Sequence, residues 1–150
     1  MENIIVAVSN FIAIYPLLNS LKYKDITTFR CILLVSLSSF ISHLIENHKH
    51  GMSGIGISQN WSYILNKLDV VSVHILVVRL FYLYVKRYGI DTGLFKLFPY
   101  FIPFIFLIIS EYDKYNPDLK NLYILTHSIW HLSIFWILNC FLMKYIYYGY

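Results

Sequence analysis

The chain has 150 residues, of which 58% are hydrophobic and only 13% are charged. Ordinary soluble domains contain about 45–50% apolar and about 25% charged residues, so this composition argues against a soluble domain and favours an integral membrane protein. The net charge of +4 does not indicate a nucleic-acid partner, because the few Lys and Arg residues lie at the ends of apolar runs, where they set membrane topology.

Five apolar segments are long enough to cross a bilayer, and one long connection, residues 46–60, separates the second from the third. The segments are continuously apolar and do not alternate with polar residues, which favours helices over membrane strands. The sequence therefore predicts one all-α integral membrane domain over residues 1–150, a polytopic transmembrane helical bundle. Its five predicted spans are 4–21, 27–45, 61–85, 94–110 and 119–145.

The basic residues predict an orientation in the membrane. With five spans, the turns after spans one and three and the C-terminus share one side, which carries Lys22, Lys24, Arg30, Lys86, Arg87, Lys96 and Lys144. The other side carries Lys49, Lys67, Lys114 and Lys120. The positive-inside rule therefore predicts an N-terminus that is outside or lumenal and a C-terminus in the cytosol.

Ionisable side chains at membrane depth are costly, so each one is a candidate functional group. Those deep inside the predicted spans are His43, Asp69, His74, Arg79, His127 and His131, whereas Arg30 and Lys67 lie near span ends and can extend to the interface. His127 and His131 are four residues apart, which places both imidazoles on one helix face at a spacing that suits two ligands of one metal ion. An isolated pair of this kind is more often two histidines that hydrogen-bond across helices, and that alternative stays open.

Ser39 and His43 are also four residues apart, near the end of span two. Serines that hydrogen-bond between helices would explain Ser39 better than His43. Asp69 in span three needs a partner, and Arg79 lies about 15 Å away along the same helix, too far for an internal pair. We therefore expect the partner of Asp69 to be a group on another helix or a water molecule on a metal ion.

The alternating direction of five spans places His43, Asp69 and His127 in the same leaflet. Three neutral imidazoles with an open fourth position form the ligand set of a catalytic zinc site. In such a site Asp69 is suited to accept a proton or to orient a histidine, and Ser39 is suited to donate to a carbonyl oxygen or to bond Asp69.

Three short patterns in the chain resemble the signatures of the CREST superfamily. They are Ser39-x-x-x-His43, Lys67-Leu68-Asp69 and the run HSIWHLS at residues 127–133. The superfamily includes alkaline ceramidases, progestin and adipoQ receptors, bacterial hemolysin III proteins and membrane-remodelling proteins of the myomaker type. It usually has seven spans. Five spans are predicted here, and an odd number keeps the three patterns on one side.

The resemblance implies a zinc ion held by His43, His127 and His131, with Ser39 and Asp69 in catalytic roles beside it. It implies hydrolysis of a lipid amide or ester, as in a ceramidase, with a lipid substrate or bilayer lipid as the partner. A non-catalytic relative, with a structural zinc site or a membrane-remodelling role, is the main alternative. A small channel whose polar residues line a pore fits less well.

Three further histidines are predicted to lie outside the site. His48 and His50 in the long connection are suited to bind a second metal or to cover the site, but solvated loop histidines are the favoured interpretation. His74 is expected to be a structural donor to another helix, because it lies on a different face from Asp69.

Overall fold

The structure is a computed structural model that describes residues 3–46, 49–52, 55, 58–90 and 94–148. Within these ranges every regular element is helical, which confirms the predicted all-α class. The first apolar segment consists of α1 (Asn3–Val8), a 3-10 turn (Ser9–Ala13) and α2 (Ile14–Lys22). The next two helices are α3 (Ile26–Ile45) and α4 (Gln59–Tyr88).

The second half of the chain is less regular. A 3-10 helix (Leu94–Phe101) leads into the short α5 (Phe104–Ser110). A 3-10 turn (Pro117–Leu119) then opens α6 (Lys120–Phe141), which continues as a π-helix (Leu142–Tyr148).

The number of long spans differs from the prediction. Among the described residues, four helical stretches are long and apolar enough to cross a membrane, namely Asn3–Lys22, Ile26–Ile45, Gln59–Tyr88 and Pro117–Tyr148. The predicted span 94–110 is not one of them, because its apolar helix, Leu97–Ser110, is shorter. Pro99 and Pro103 explain the difference, since proline lacks an amide hydrogen and clashes with a continuous α-helix. The prediction of five long helices is corrected to four long helices and one short, two-part segment.

The short segment lies along α6 and the π-helix that follows it. At one end, the ring centroid of Tyr100 lies 5.9 Å from that of Tyr145 in the π-helix. At the other end, Ser110 lies 3.0 Å from Nδ1 of His127, in the first half of α6. A 3-10 helix rises about 2.0 Å per residue against about 1.5 Å for an α-helix, which lengthens the segment. The short segment therefore runs antiparallel to α6.

The centre of the bundle is formed by α3, which packs against α4, α1 and α2. The main buried cluster is apolar and consists of Ala13, Ile32, Val35, Leu76, Phe135, Leu138 and Leu142. Large apolar side chains also cover the outside, including Phe11, Leu18, Val78 and Ile108. Soluble monomers rarely expose such extensive apolar surface, whereas a bilayer accommodates it.

One ion pair joins the turn before α3 to α4. The Asp25 side chain caps α3 by accepting hydrogen bonds from the amide of Thr28 at 3.1 Å and from its hydroxyl at 2.6 Å. Arg79 donates to Asp25 Oδ1 at 3.0 Å and to the Thr28 hydroxyl at 3.2 Å. The charge of Arg79 within α4 is thus compensated by the capping carboxylate and not by Asp69.

Candidate metal centre

Three histidines from two helices meet in the interior. His43 belongs to the last turn of α3, and His127 and His131 lie one turn apart on α6. Their ring centroids are 4.6, 4.9 and 4.8 Å apart, and one ring nitrogen from each lies within 4.8 Å of the others. All three side chains are buried. The predicted convergence is confirmed, and the three histidines are close enough to hold a metal ion.

The His43 ring is anchored by a carboxylate. Its Nδ1 lies 3.2 Å from Oε2 of Glu46, the residue that follows α3. The same oxygen accepts a hydrogen bond from the Tyr123 hydroxyl at 2.6 Å. An ionised carboxylate accepts only, so Nδ1 of His43 carries a hydrogen, and in the neutral ring the lone pair is on Nε2.

The His127 ring is anchored by Ser110 at the end of α5. The Ser110 hydroxyl donates to the carbonyl of Leu107 at 2.7 Å, and its oxygen lies 3.0 Å from Nδ1 of His127. Because the hydroxyl hydrogen is already used, Ser110 accepts from the ring. The lone pair of His127 is therefore also on Nε2.

The His131 ring is anchored by the first apolar segment. Its Nδ1 lies 2.8 Å from the Ser9 hydroxyl and 3.2 Å from the carbonyl of Val6. Ser9 itself donates to the Val6 carbonyl at 2.6 Å, so both oxygens are acceptors for the ring. The side-chain amide nitrogen of Asn10 lies 3.3 Å from Nδ1 of His131. Nε2 of His131 faces the Ser39 hydroxyl at 3.3 Å.

The three anchors favour a cation at the centre. Metal-bound histidines ordinarily donate their second ring N–H to a carboxylate, a carbonyl or another polar oxygen, as all three rings do here. The Nε2 atoms of His43 and His127 face each other at 3.2 Å, and two lone pairs at that distance repel unless a cation or a proton lies between them. A tetrahedral zinc ion with Zn–N bonds of about 2.0–2.1 Å separates its ligand atoms by roughly 3.3 Å, which fits this pair.

Asp69 and Ser39 lie beside the three imidazoles. Ser39, from α3, is within hydrogen-bonding reach of the Asp69 carboxylate on α4, and that carboxylate also interacts electrostatically with His43. The Oδ1 atom of Asp69 is buried and has no hydrogen-bond partner among the described residues. A buried carboxylate oxygen without a partner is costly, so this atom is suited to a water molecule or a ligand at the centre.

The centre opens into a cleft of about 590 Å³, between α4 on one side and α5 and α6 on the other. Its polar groups cluster at the histidine end, and the remainder is lined by apolar and aromatic side chains such as Val73, Leu80, Tyr84, Phe104 and Trp130. From Asp69 to Tyr84 the α4 wall measures about 22 Å, which exceeds half of a bilayer core of about 30 Å. The volume lies in the usual range of small-molecule sites.

Residues 49–52, in the loop between α3 and α4, cover the histidine end of the cleft. The Lys49 ammonium lies 2.5 Å from Glu111 and 3.4 Å from Glu46. The amide of His50 donates to the carbonyl of Lys114 at 2.7 Å, and its ring donates to the carbonyl of Asn116 at 2.8 Å. His50 is only 1% exposed, so the favoured prediction of a solvated histidine is wrong for this residue. His48 lies outside the described residues.

The charge of Lys49 in this loop segment and those of Glu46 and Glu111 stabilise one another. Burial acts to lower the pKa of Lys49, but the carboxylates of Glu46 and Glu111 outweigh it and raise the pKa. Burial acts to raise the pKa of Glu46, but the hydrogen bond with His43 and the charge of Lys49 hold that pKa below its ordinary range. The cover is therefore held in place by charge pairs that persist at neutral pH.

The anchoring residues were not identified from the sequence, although some signals exist. Tyr123 precedes His127 by four residues and therefore shares its helix face. Ser9 and Asn10 form a polar pair inside an apolar run, and a polar pair at that depth is a signal in itself. His74 is a correction, because its ring bonds the carbonyl of Val70 in its own helix at 2.7 Å and, among the described residues, it is not the expected donor to another helix.

Comparisons with known proteins give one relative. No family model and no solved structure matches the chain. A protein of Acanthamoeba polyphaga mimivirus, whose name states only that it is uncharacterized, is 51% identical over 152 residues, which cover 98% of this chain and 100% of the relative. Neither result supports or contradicts the CREST resemblance. The chain belongs to the family of that mimivirus protein.

Proposed function

We propose that the protein is a membrane-embedded, zinc-dependent hydrolase that cleaves an amide or ester bond of a lipid. One observation carries the proposal. Three imidazoles with anchored Nδ1 atoms meet beside a buried carboxylate oxygen, that of Asp69, which has no partner among the described residues.

The ligand set supports zinc in a catalytic and not a structural role. Structural zinc sites have four protein ligands, whereas three histidines leave one position open. When bound there, zinc would act as a Lewis acid that polarises a carbonyl group and lowers the pKa of water to about 7. His43, His127 and His131 would hold the ion.

The carboxylate of Asp69 is placed to move the proton in hydrolysis. It would take the proton that water loses as the oxygen forms a bond to the substrate carbonyl carbon. As the C–N or C–O bond of the substrate breaks, Asp69 would return that proton to the departing amine or alcohol. Ser39, within reach of Asp69 and 3.3 Å from His131, would orient the carboxylate or donate to the carbonyl oxygen.

The cleft supports a lipid as the substrate. Its polar groups lie at the centre and its length is apolar, so an acyl chain would lie along α4 with its carbonyl group at the histidines. The four long apolar helices and the apolar exterior support a position within a bilayer. The distribution of Lys and Arg supports an N-terminus outside or in a lumen and a cytosolic C-terminus.

We also propose that the protein is a shortened relative of the CREST superfamily. Each of the three patterns contributes at least one residue to the same cleft, and this supports the resemblance; these residues include Ser39 and His43, Asp69, and His127 and His131. The short segment at 94–110 takes the place of a full span and preserves the direction of α6.

Metal analysis of the purified, folded protein tests the metal centre. We expect about one zinc ion per chain, lost in His127→Ala and in His131→Ala. His74→Ala is a matched control that should retain zinc, because His74 bonds its own helix at the surface. A folded wild-type protein that binds no zinc would refute the proposal.

Lipid turnover tests catalysis separately. A lipidomic comparison of wild type with Asp69→Ala should show a ceramide-like amide or an ester that only the wild type hydrolyses, while both proteins retain zinc. Zinc without turnover of any lipid would favour the alternative of a structural zinc site or a membrane-remodelling role.

A further inference from the structure

We infer that Glu46, held by Tyr123, is the positioning residue of His43 and sets the metal affinity of the centre. This inference rests on the proposed metal site. Glu46 lies outside the three sequence patterns. Its carboxylate acts on the metal ligand His43 and not on the substrate.

One oxygen of the Glu46 carboxylate makes two close contacts at the centre. Its side chain is almost completely buried, and Oε2 lies 3.2 Å from Nδ1 of His43 and 2.6 Å from the Tyr123 hydroxyl. The other oxygen faces Lys49 at 3.4 Å. The side chain of Asn3 bonds the Glu46 carbonyl, so the backbone is fixed as well. The carboxylate therefore has one defined position relative to the His43 ring.

The three ligands are not equivalent in this respect. Nδ1 of His127 faces a serine hydroxyl, and Nδ1 of His131 faces a serine hydroxyl and a backbone carbonyl, all of them neutral acceptors. His43 has a carboxylate within hydrogen-bonding distance of Nδ1, at 3.2 Å, whereas the Glu111 carboxylate lies 4.0 Å from Nδ1 of His127. A charged acceptor there fixes the tautomer and increases the basicity of Nε2, so His43 should be the strongest donor to a metal ion.

Tyr123 connects this anchor to the other two ligands. It lies on α6 one turn before His127, and its ring centroid is 5.0 Å from that of His127. Its hydroxyl approaches His43 Nδ1 at 3.4 Å while donating to Glu46. The bond from Tyr123 to Glu46 thus holds the α3 ligand in register with the pair on α6.

A purely structural role for Glu46, as the attachment of the loop through Lys49, makes a different prediction. Loss of such an attachment would lower stability without changing the electronic environment of the metal. A readout of the metal itself therefore separates the two roles.

The test compares Glu46→Gln with wild type in detergent-solubilised, metal-free full-length protein. Zn²⁺ affinity is measured by competition with a chelator, and Co²⁺ is used for its visible ligand-field spectrum. We expect Glu46→Gln to weaken Zn²⁺ binding by about 10–100-fold and to shift the Co²⁺ bands. Asp25→Asn is the control, since it alters an ion-paired carboxylate at the other end of α3 and should leave both readouts unchanged.

Tyr123→Phe provides a second test if Glu46→Gln does not fold. It removes one hydroxyl group and should shift both readouts in the same direction by a smaller amount. Wild-type affinity and an unchanged spectrum in the variant that folds would overturn the inference and leave the metal centre standing. A wild-type protein that binds neither ion would refute the metal centre and this inference with it.

Discussion

Ser110, the last residue of α5, accepts a hydrogen bond from Nδ1 of His127 at 3.0 Å. The short helix α5 thereby reaches the ligand pair on α6. The proline-containing segment, residues 94–110, leads the chain back along α6. It also fixes the orientation of one candidate metal ligand, His127.

Replacing Ser110 with alanine should weaken metal binding. His127 would lose the acceptor that holds its ring, and losses of about 10–100-fold are typical when such a partner is removed. Ser133→Ala is a matched control on α6, since the Ser133 hydroxyl donates to the carbonyl of Ile129 within its own helix. Zn²⁺ competition should distinguish the two variants, and equal affinities would contradict the anchoring role.

Metal removal should lower the thermal stability of the protein only when the three histidines of the centre are intact. A ligand at 100 times its dissociation constant stabilises a folded protein by about 2.7 kcal/mol. A chelator should therefore lower the Tm of wild type and of His74→Ala, and it should have no effect on His43→Ala. If the chelator changes none of the three, the centre does not hold a metal under those conditions.

The ion pair between Asp25 and Arg79 should contribute to stability independently of the metal. The side chains are 15% and 23% exposed, so a contribution between those of surface and buried pairs, about 1–3 kcal/mol, is expected. Arg79→Met should be more damaging than Asp25→Asn, because asparagine still caps α3 whereas Arg79→Met leaves a carboxylate without its cation. Unfolding in detergent measures both, and the double variant should be less destabilised than the sum of the two.

The raised pKa of Lys49 predicts a defined pH dependence. Its charge pairs contribute fully below the ordinary lysine pKa of about 10.4, and the contribution is lost as pH rises through the higher folded-state pKa. The difference in Tm between wild type and Lys49→Met should therefore be constant from about pH 8 to 10 and shrink above that. Lys22→Met, at an exposed position, should show no such difference. A constant difference up to pH 12 would contradict the assignment.

Filling the cleft should impair lipid turnover and spare the metal. Val73 lines the cleft on α4, and tryptophan there would occupy the space proposed for an acyl chain. We expect turnover to fall by at least about tenfold, which corresponds to about 1.4 kcal/mol, with zinc content unchanged. Val78→Trp, at a position that is 68% exposed, should retain turnover. Equal turnover in the two variants would place the substrate elsewhere.

The sequence was sufficient for the relations that depend on helical spacing and chain direction. The shared face of His127 and His131 follows from 3.6 residues per turn, and the arrival of His43 at the same depth follows from the alternation of the segments. Neither relation requires knowledge of how one helix is rotated against another.

The anchors of the imidazoles depend on that rotation and were not predictable in the same way. Whether Ser9 or another polar side chain of the first segment faces His131 is decided by packing across the bundle. The shortness of the fourth segment was visible in Pro99 and Pro103, but a count of apolar residues does not distinguish a continuous α-helix from a 3-10 helix followed by a short α5.

The 3-10 turn at Ser9 has a consequence for the evolution of the first helix. The first apolar segment supplies two oxygens to His131, the hydroxyl of Ser9 in the turn and the carbonyl of Val6 in α1. Alanine at position 9 would make a better helix and would also remove the hydroxyl. For the metal centre proposed above, selection for a more stable first helix would therefore work against metal binding, a trade-off between stability and metal binding within a single side chain.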